Sequence, residues 1–180
     1  MANKTVTLTG TAILAALVVI FDYSMKYSGL KIIFPWLPFL KFDFTGVPIL
    51  LSFYILGFYS SIFTSAVALF AILARSGDLV GASMKALAEF STVVGVAFAI
   101  KSIPKFKRSV PIIFGVLFRC AVMFFANLLI LPLFTSTFFM AVLLQSPPIA
   151  VFNIIQGFIS VLGGIILKEA VIKKIPAFRK

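Results

Sequence analysis

The 180-residue chain is 62% hydrophobic and only 12% charged, against roughly 45–50% apolar and 25% charged in an ordinary soluble domain. Its net charge of +11 does not point to nucleic acid, because Lys and Arg in a chain this apolar mark cytoplasmic loops and touch anionic lipid. Cys120 is the only cysteine and there is no histidine, which excludes internal disulfides, zinc clusters and His-dependent bases or triads.

A helix needs about 20 apolar residues to cross about 30 Å of hydrocarbon, so the length holds roughly five or six spans in one domain, residues 1–180, with no room for a soluble one. Lys4 to Phe21 resembles a signal peptide, with a positive start and a short apolar run. It lacks a small-residue cleavage site and further apolar segments follow, so it reads as the start of a first membrane helix over Val6 to Tyr27. Asp22, Tyr23 and Lys26 then serve as interfacial end markers. Ala12 and Ala16 give this helix a small-residue surface suited to close approach by another helix.

Ser28 to Thr45 has a different texture. Gly29, Pro35 and Pro38 break regular structure while Ile32, Ile33, Phe34, Trp36, Leu37, Phe39 and Leu40 stay apolar. A loop this apolar is expected to fold onto the bundle as a lid or re-entrant plug. Val47 to Ala74 then carries no charge and would be about 42 Å long as one helix, too long for a comfortable span. One long helix would also put Lys101, Lys105, Lys107 and Arg108 on the opposite side from Lys4 and the basic C-terminal tail. Two short helices, Val47 to Gly57 and Ser61 to Arg75, bring the basic clusters together.

The fourth helix is expected over Gly81 to Ile100, after the polar turn at residues 75–78, and it ends at the basic loop containing Pro104. A fifth follows over Pro111 to Leu131, then an outer loop from Pro132 to Pro148 with Ser136, Thr137 and Gln145. The sixth is expected over Ile149 to Val171, where Gly157, Gly163 and Gly164 suit tight packing. An even number of spans, flanked by Lys168, Lys173, Lys174, Arg179 and Lys180, puts both termini in the cytoplasm. The expected fold is an all-α, six-transmembrane-helix bundle with an outer lid loop between helices 1 and 2.

Ionisable and amide groups within spans are the candidates for function, since each charge there costs at least a few kcal/mol and needs a partner, a cavity or an interface. Glu89 and Arg119 fit either a structural ion pair or the wall of a polar cavity. Asn127, Asn153 and Gln156 each offer two donors and an acceptor, suited to a neutral, planar, hydrogen-bonding ligand or to interhelical bonding. Asn153 and Gln156 share a helix face. The 22 phenylalanines could stack on a flat ring or simply face lipid. Five scattered carboxylates without histidine make no catalytic constellation, so no enzyme is expected.

Three segments together resemble the riboflavin-specific S components of energy-coupling factor (ECF) transporters. Leu40, Lys41, Phe42, Asp43, Phe44, Thr45, Gly46, Val47 and Pro48 are similar to that family's loop motif. Asn127 to Leu133 (NLLILPL) resembles the end of its fifth helix, and Phe152 to Gly157 (FNIIQG) the start of its sixth, with Ala12 and Ala16 at its AxxxA motif. Gln156 stands where the family commonly has Lys, and Glu89 where an Asn is expected.

The resemblance implies a plasma-membrane subunit that captures riboflavin or a related flavin at its outer face and delivers it inward. The flavin would be transported cargo, and no cofactor is implied. It also implies partners: a transmembrane coupling protein docked at Ala12 and Ala16, and two ATPases. Leu40, Lys41, Phe42 and Asp43 would cover the flavin, and Asn127, Asn153 and Gln156 would contact its polar edge or ribityl chain, while Glu89 joins the candidate site residues from its place inside a span. An S component for another small ligand, or a free-standing channel, is the alternative.

Overall fold

A computed structural model describes residues 4–103, 108–135 and 138–174, and these described residues form six α-helices and one short hairpin. The helices are α1 (Lys4–Tyr27), α2 (Gly46–Leu56), α3 (Phe58–Ser76), α4 (Leu79–Ser102), α5 (Ser109–Thr135) and α6 (Phe139–Lys174). All but α2 are long and apolar enough to cross a membrane. Large apolar side chains such as Leu8, Phe63, Leu129 and Ile166 face outward, as expected where the surrounding solvent is hydrocarbon. The fold is that of a multi-pass membrane protein.

The uncharged run breaks where the sequence reading put it, at Gly57. Its φ of 105° lies where only glycine sits without strain. Its N–H closes α2 onto Phe53 O and Ser52 O, and α3 begins at the next residue rather than at Ser61. The first seven residues of α2, Gly46 to Ser52, are all buried. Ile49 and Leu50 pack into a core with Val18 of α1, Ala68 of α3, Val93 and Val96 of α4, and Val161 and Ile165 of α6. A short helix enclosed on all sides is hydrophobic all round, which is why its sequence shows no polar stripe.

At the other junctions Gly77 ends α3 in the left-handed conformation. Asp78 then starts α4, its Oδ1 accepting from Gly81 N at 2.9 Å.

One expected element is overturned. The outer loop from Pro132 to Pro148 is mostly helix: α5 continues through Pro132 to Thr135, and α6 starts at Phe139 with Pro147 and Pro148 inside it. Proline removes one backbone donor from a helix, and membrane helices tolerate that where neighbours or local adjustment satisfy the freed carbonyl. Ser136 and Thr137 of that expected loop lie outside the described residues, as do Pro104, Lys105, Lys107, Arg179 and Lys180.

The segment between α1 and α2 is built around two strands, β1 (Ile32–Ile33) and β2 (Lys41–Phe42), paired antiparallel with Ile32 opposite Phe42 and Ile33 opposite Lys41. Phe34 N also donates to Leu40 O at 2.9 Å. The hairpin satisfies its own backbone, which lets a proline-broken apolar segment lie against the bundle.

Candidate functional site

A cavity of about 490 Å³ opens at one end of the bundle, within the size range of small-molecule sites. It lies where α1 and α3 end and α4 begins, beside Arg119 to Leu131 of α5 and Ile149 to Asn153 of α6. Phe39, Leu40, Lys41 and Asp43 of the hairpin segment contribute to its lining.

Three attachments hold the segment there. Phe34 is buried, and its ring meets Phe42 at 5.8 Å and Phe152 of α6 at 5.6 Å between centroids. Phe42 stacks on Phe152 at 4.8 Å and 29°. The Gln156 side chain brackets the Asp43 backbone: Nε2 donates to Asp43 O at 2.8 Å and Oε1 accepts from Asp43 N at 3.3 Å. The Asp43 carboxylate takes Lys85 of α4 at 2.8 Å and Lys31 at 3.8 Å. It also accepts from Thr45 N at 3.1 Å and Thr45 Oγ1 at 2.6 Å. Burial pushes this carboxyl up, but Lys85, the Thr45 hydroxyl and Lys31 outweigh it and hold the group at about 2.

These contacts belong to a longer chain of alternating charge beneath and beside the cavity. Arg75 Nε meets Asp22 Oδ2 at 2.6 Å, and Lys31 Nζ joins Asp22 Oδ1 at 2.5 Å and then Asp43. Lys85 joins Asp43 to Glu89 Oε1 at 3.2 Å, and Arg119 Nη1 lies 3.0 Å from the same oxygen. Glu89 and Arg119 are each 1% exposed, a burial that demands pairing. Both cations reach Oε1 without well-aligned hydrogen bonding, while Oε2 accepts from Ser160 Oγ at 3.0 Å. Gly46 makes this possible, since a Cβ there would collide with Glu89 Oε2 and Ser160 Oγ. Arg119 Nε donates to Asn153 Oδ1 at 3.0 Å, and Nη1 to Thr92 Oγ1 at 3.3 Å.

The residues singled out from the sequence thus take distinct places. Leu40, Lys41, Asp43, Arg119, Asn127 and Asn153 line the cavity. Phe42, Glu89 and Gln156 are not among its lining residues; they support it through Phe152, Arg119 and the Asp43 backbone. Asn127 Nδ2 and Asn153 Nδ2 each bond the carbonyl four residues back in their own helix, at 2.6 and 2.9 Å. Ala12 and Ala16 are exposed on α1 beside Leu8, Ile13 and Ile20.

Asp22, expected at the interface as an end marker, is instead fully buried between Lys31 and Arg75. Lys85, Lys31 and Phe152 were not legible as site residues. The spacing of Lys85 four residues before Glu89 was the available signal for the first.

In fold, the chain is similar to a solved structure of the S component of a bacterial ECF transporter. The TM-score is 0.80 at 22% sequence identity, covering 96% of this chain and 99% of that one. No family model and no curated protein matches the sequence.

Proposed function

We propose that the chain is the S component of an ECF-type importer, capturing riboflavin at the outer face of the plasma membrane and delivering it inward. The observation that carries this reading is a ligand-sized cavity lined in part by the α1–α2 segment in a bundle whose fold matches a solved S component. Asn127 and Asn153 on its wall suit the donor and acceptor edge of a flat heterocycle, and Phe39 and Phe152 supply ring faces. Leu40, Lys41 and Phe42 act as a lid, and Gln156 and Glu89 position the residues that touch the ligand. The short, buried α2 is too short to cross alone and makes a sixth crossing only together with the α1–α2 segment that leads into it, which puts both termini in the cytoplasm with the basic segments.

The importer is completed by a transmembrane coupling protein, seated on the exposed Ala12 and Ala16 face of α1, and two ATPases. Close helix approach requires such small residues. The test is uptake of labelled riboflavin by cells that express the chain with and without a coupling module. Uptake that needs both supports the reading. Uptake by the chain alone makes it a free-standing carrier, and no uptake with the module present rejects riboflavin as cargo.

A further inference from the structure

Of the 16 Lys and Arg residues, ten fall at Lys4, in residues 101–108 and in residues 168–180, the segments that the positive-inside rule puts in the cytoplasm. The other six are Lys26, Lys31, Lys41, Arg75, Lys85 and Arg119, and every one of them lines the cavity. Against them stand Asp22, Asp43 and Asp78 on the lining and Glu89 behind Arg119. The fifth carboxylate, Glu169, pairs with Arg108 elsewhere. The cavity end therefore carries two more positive than negative charges. The ion-pair chain absorbs Lys31, Arg75, Lys85 and Arg119, while Lys26 and Lys41, both exposed, take no ion pair among the described residues.

Cations at the non-cytoplasmic end run against the topology signal of a membrane protein, and gathering all of them on one cavity wall gives that cavity a positive field. Low-dielectric walls focus such a field on whatever enters. A neutral ring alone leaves it uncompensated.

We infer that the cavity selects a ligand carrying an anionic group, a phosphate monoester or carboxylate, received by Lys26 and Lys41 at its mouth. The inference rests on the flavin reading and narrows it: the phosphorylated flavin binds more tightly than riboflavin. Tight pairing of the inner cations with carboxylates leaves the two lysines as the anion's contacts. Their exposure makes the attraction salt-sensitive.

The test uses the purified full chain in nanodiscs of phosphatidylcholine, titrated by flavin fluorescence with riboflavin and with riboflavin 5′-phosphate, which differ only in the phosphate. At low salt the phosphate ester should bind about tenfold more tightly, a margin set by one or two partly solvated charge contacts. That margin should shrink severalfold in 0.5 M NaCl, by roughly the screening expected at such ionic strength. Lys26→Gln and Lys41→Gln should each reduce the ester's affinity more than riboflavin's, and an unchanged ratio in both variants overturns the assignment.

Equal or weaker binding of the ester also overturns the inference while leaving flavin capture in place. Binding of neither flavin removes the reading beneath it, and the inference with it. A lipid phosphate could occupy the same lysines, so the titration is repeated with phosphatidylglycerol in the discs. A preserved preference assigns the lysines to the ligand. A preference abolished only there assigns them to the headgroup and overturns the proposal.

Discussion

Gln156 grips Asp43 at two points across 113 positions of sequence, donating from Nε2 to its carbonyl at 2.8 Å and accepting from its N–H at 3.3 Å. A single buried amide on α6 thus fixes the backbone of the segment that contributes to the cavity lining, just before α2 starts at Gly46. Replacing Gln156 with Leu leaves a buried N–H and C=O unpaired, at roughly 1–3 kcal/mol for each group. Ligand affinity should fall by about tenfold or more, and residues 28–45 should become susceptible to limited proteolysis. Wild-type affinity together with an intact segment would show that the clasp does not hold the lid.

The Glu89 and Arg119 pair makes a sharper energetic prediction. Glu89→Gln removes the carboxylate that Arg119 and Lys85 share, inside a bundle where Arg119 is 1% exposed. Breaking a buried pair on one side costs about 3–5 kcal/mol, whereas replacing both partners with apolar residues is often near neutral. Glu89→Gln and Arg119→Met should each lower the thermal midpoint in detergent, and the double variant Glu89→Leu with Arg119→Met should recover part of the loss. Single variants as stable as the parent would contradict the pairing.

The pH dependence follows from Asp43. Its carboxyl titrates at about 2 in the folded chain against an ordinary 3.8. A depressed carboxylate stabilises the fold above its unfolded value, and the contribution is lost as pH falls from about 4 to about 2. With no histidine in the sequence, affinity for riboflavin, which carries no phosphate to ionise at about pH 6, should be flat between about pH 5 and pH 8, a range in which no Asp43 or imidazole proton is exchanged. A binding transition centred near pH 6 would show that another group governs the site.

Ala12 and Ala16 lie on the exposed face of α1 and are not among the residues that line the cavity. Ala12→Trp with Ala16→Trp should leave ligand binding intact and stop uptake by the assembled importer, because a close helix contact cannot accommodate two indoles. Loss of binding in the purified variant would mean that this face supports the bundle instead of a partner.

The five long apolar helices were legible because hydrophobicity over about 20 residues is a strong signal, and charge bookkeeping between loops pointed to a break near Gly57 to Ser61. Pro132, Pro147 and Pro148 misled because proline reads as a helix end in water, while a membrane bundle can keep it inside a helix. Asn127 and Asn153 were legible as polar groups inside apolar runs. The role of Gln156 was not, because an amide that contacts ligand and one that contacts a loop backbone leave the same trace in sequence. Lys31 and Lys85 were hidden for a related reason: each meets Asp43, and nothing in linear order shows that a hairpin folds their partner between them.

The most direct measurement is a fluorescence titration of riboflavin against the purified chain, stripped of endogenous ligand. Stoichiometric quenching with a dissociation constant in the nanomolar range, weakened by Asn127→Ala or Asn153→Ala, is the predicted result. Flavin fluorescence unchanged on addition of folded protein would contradict the account.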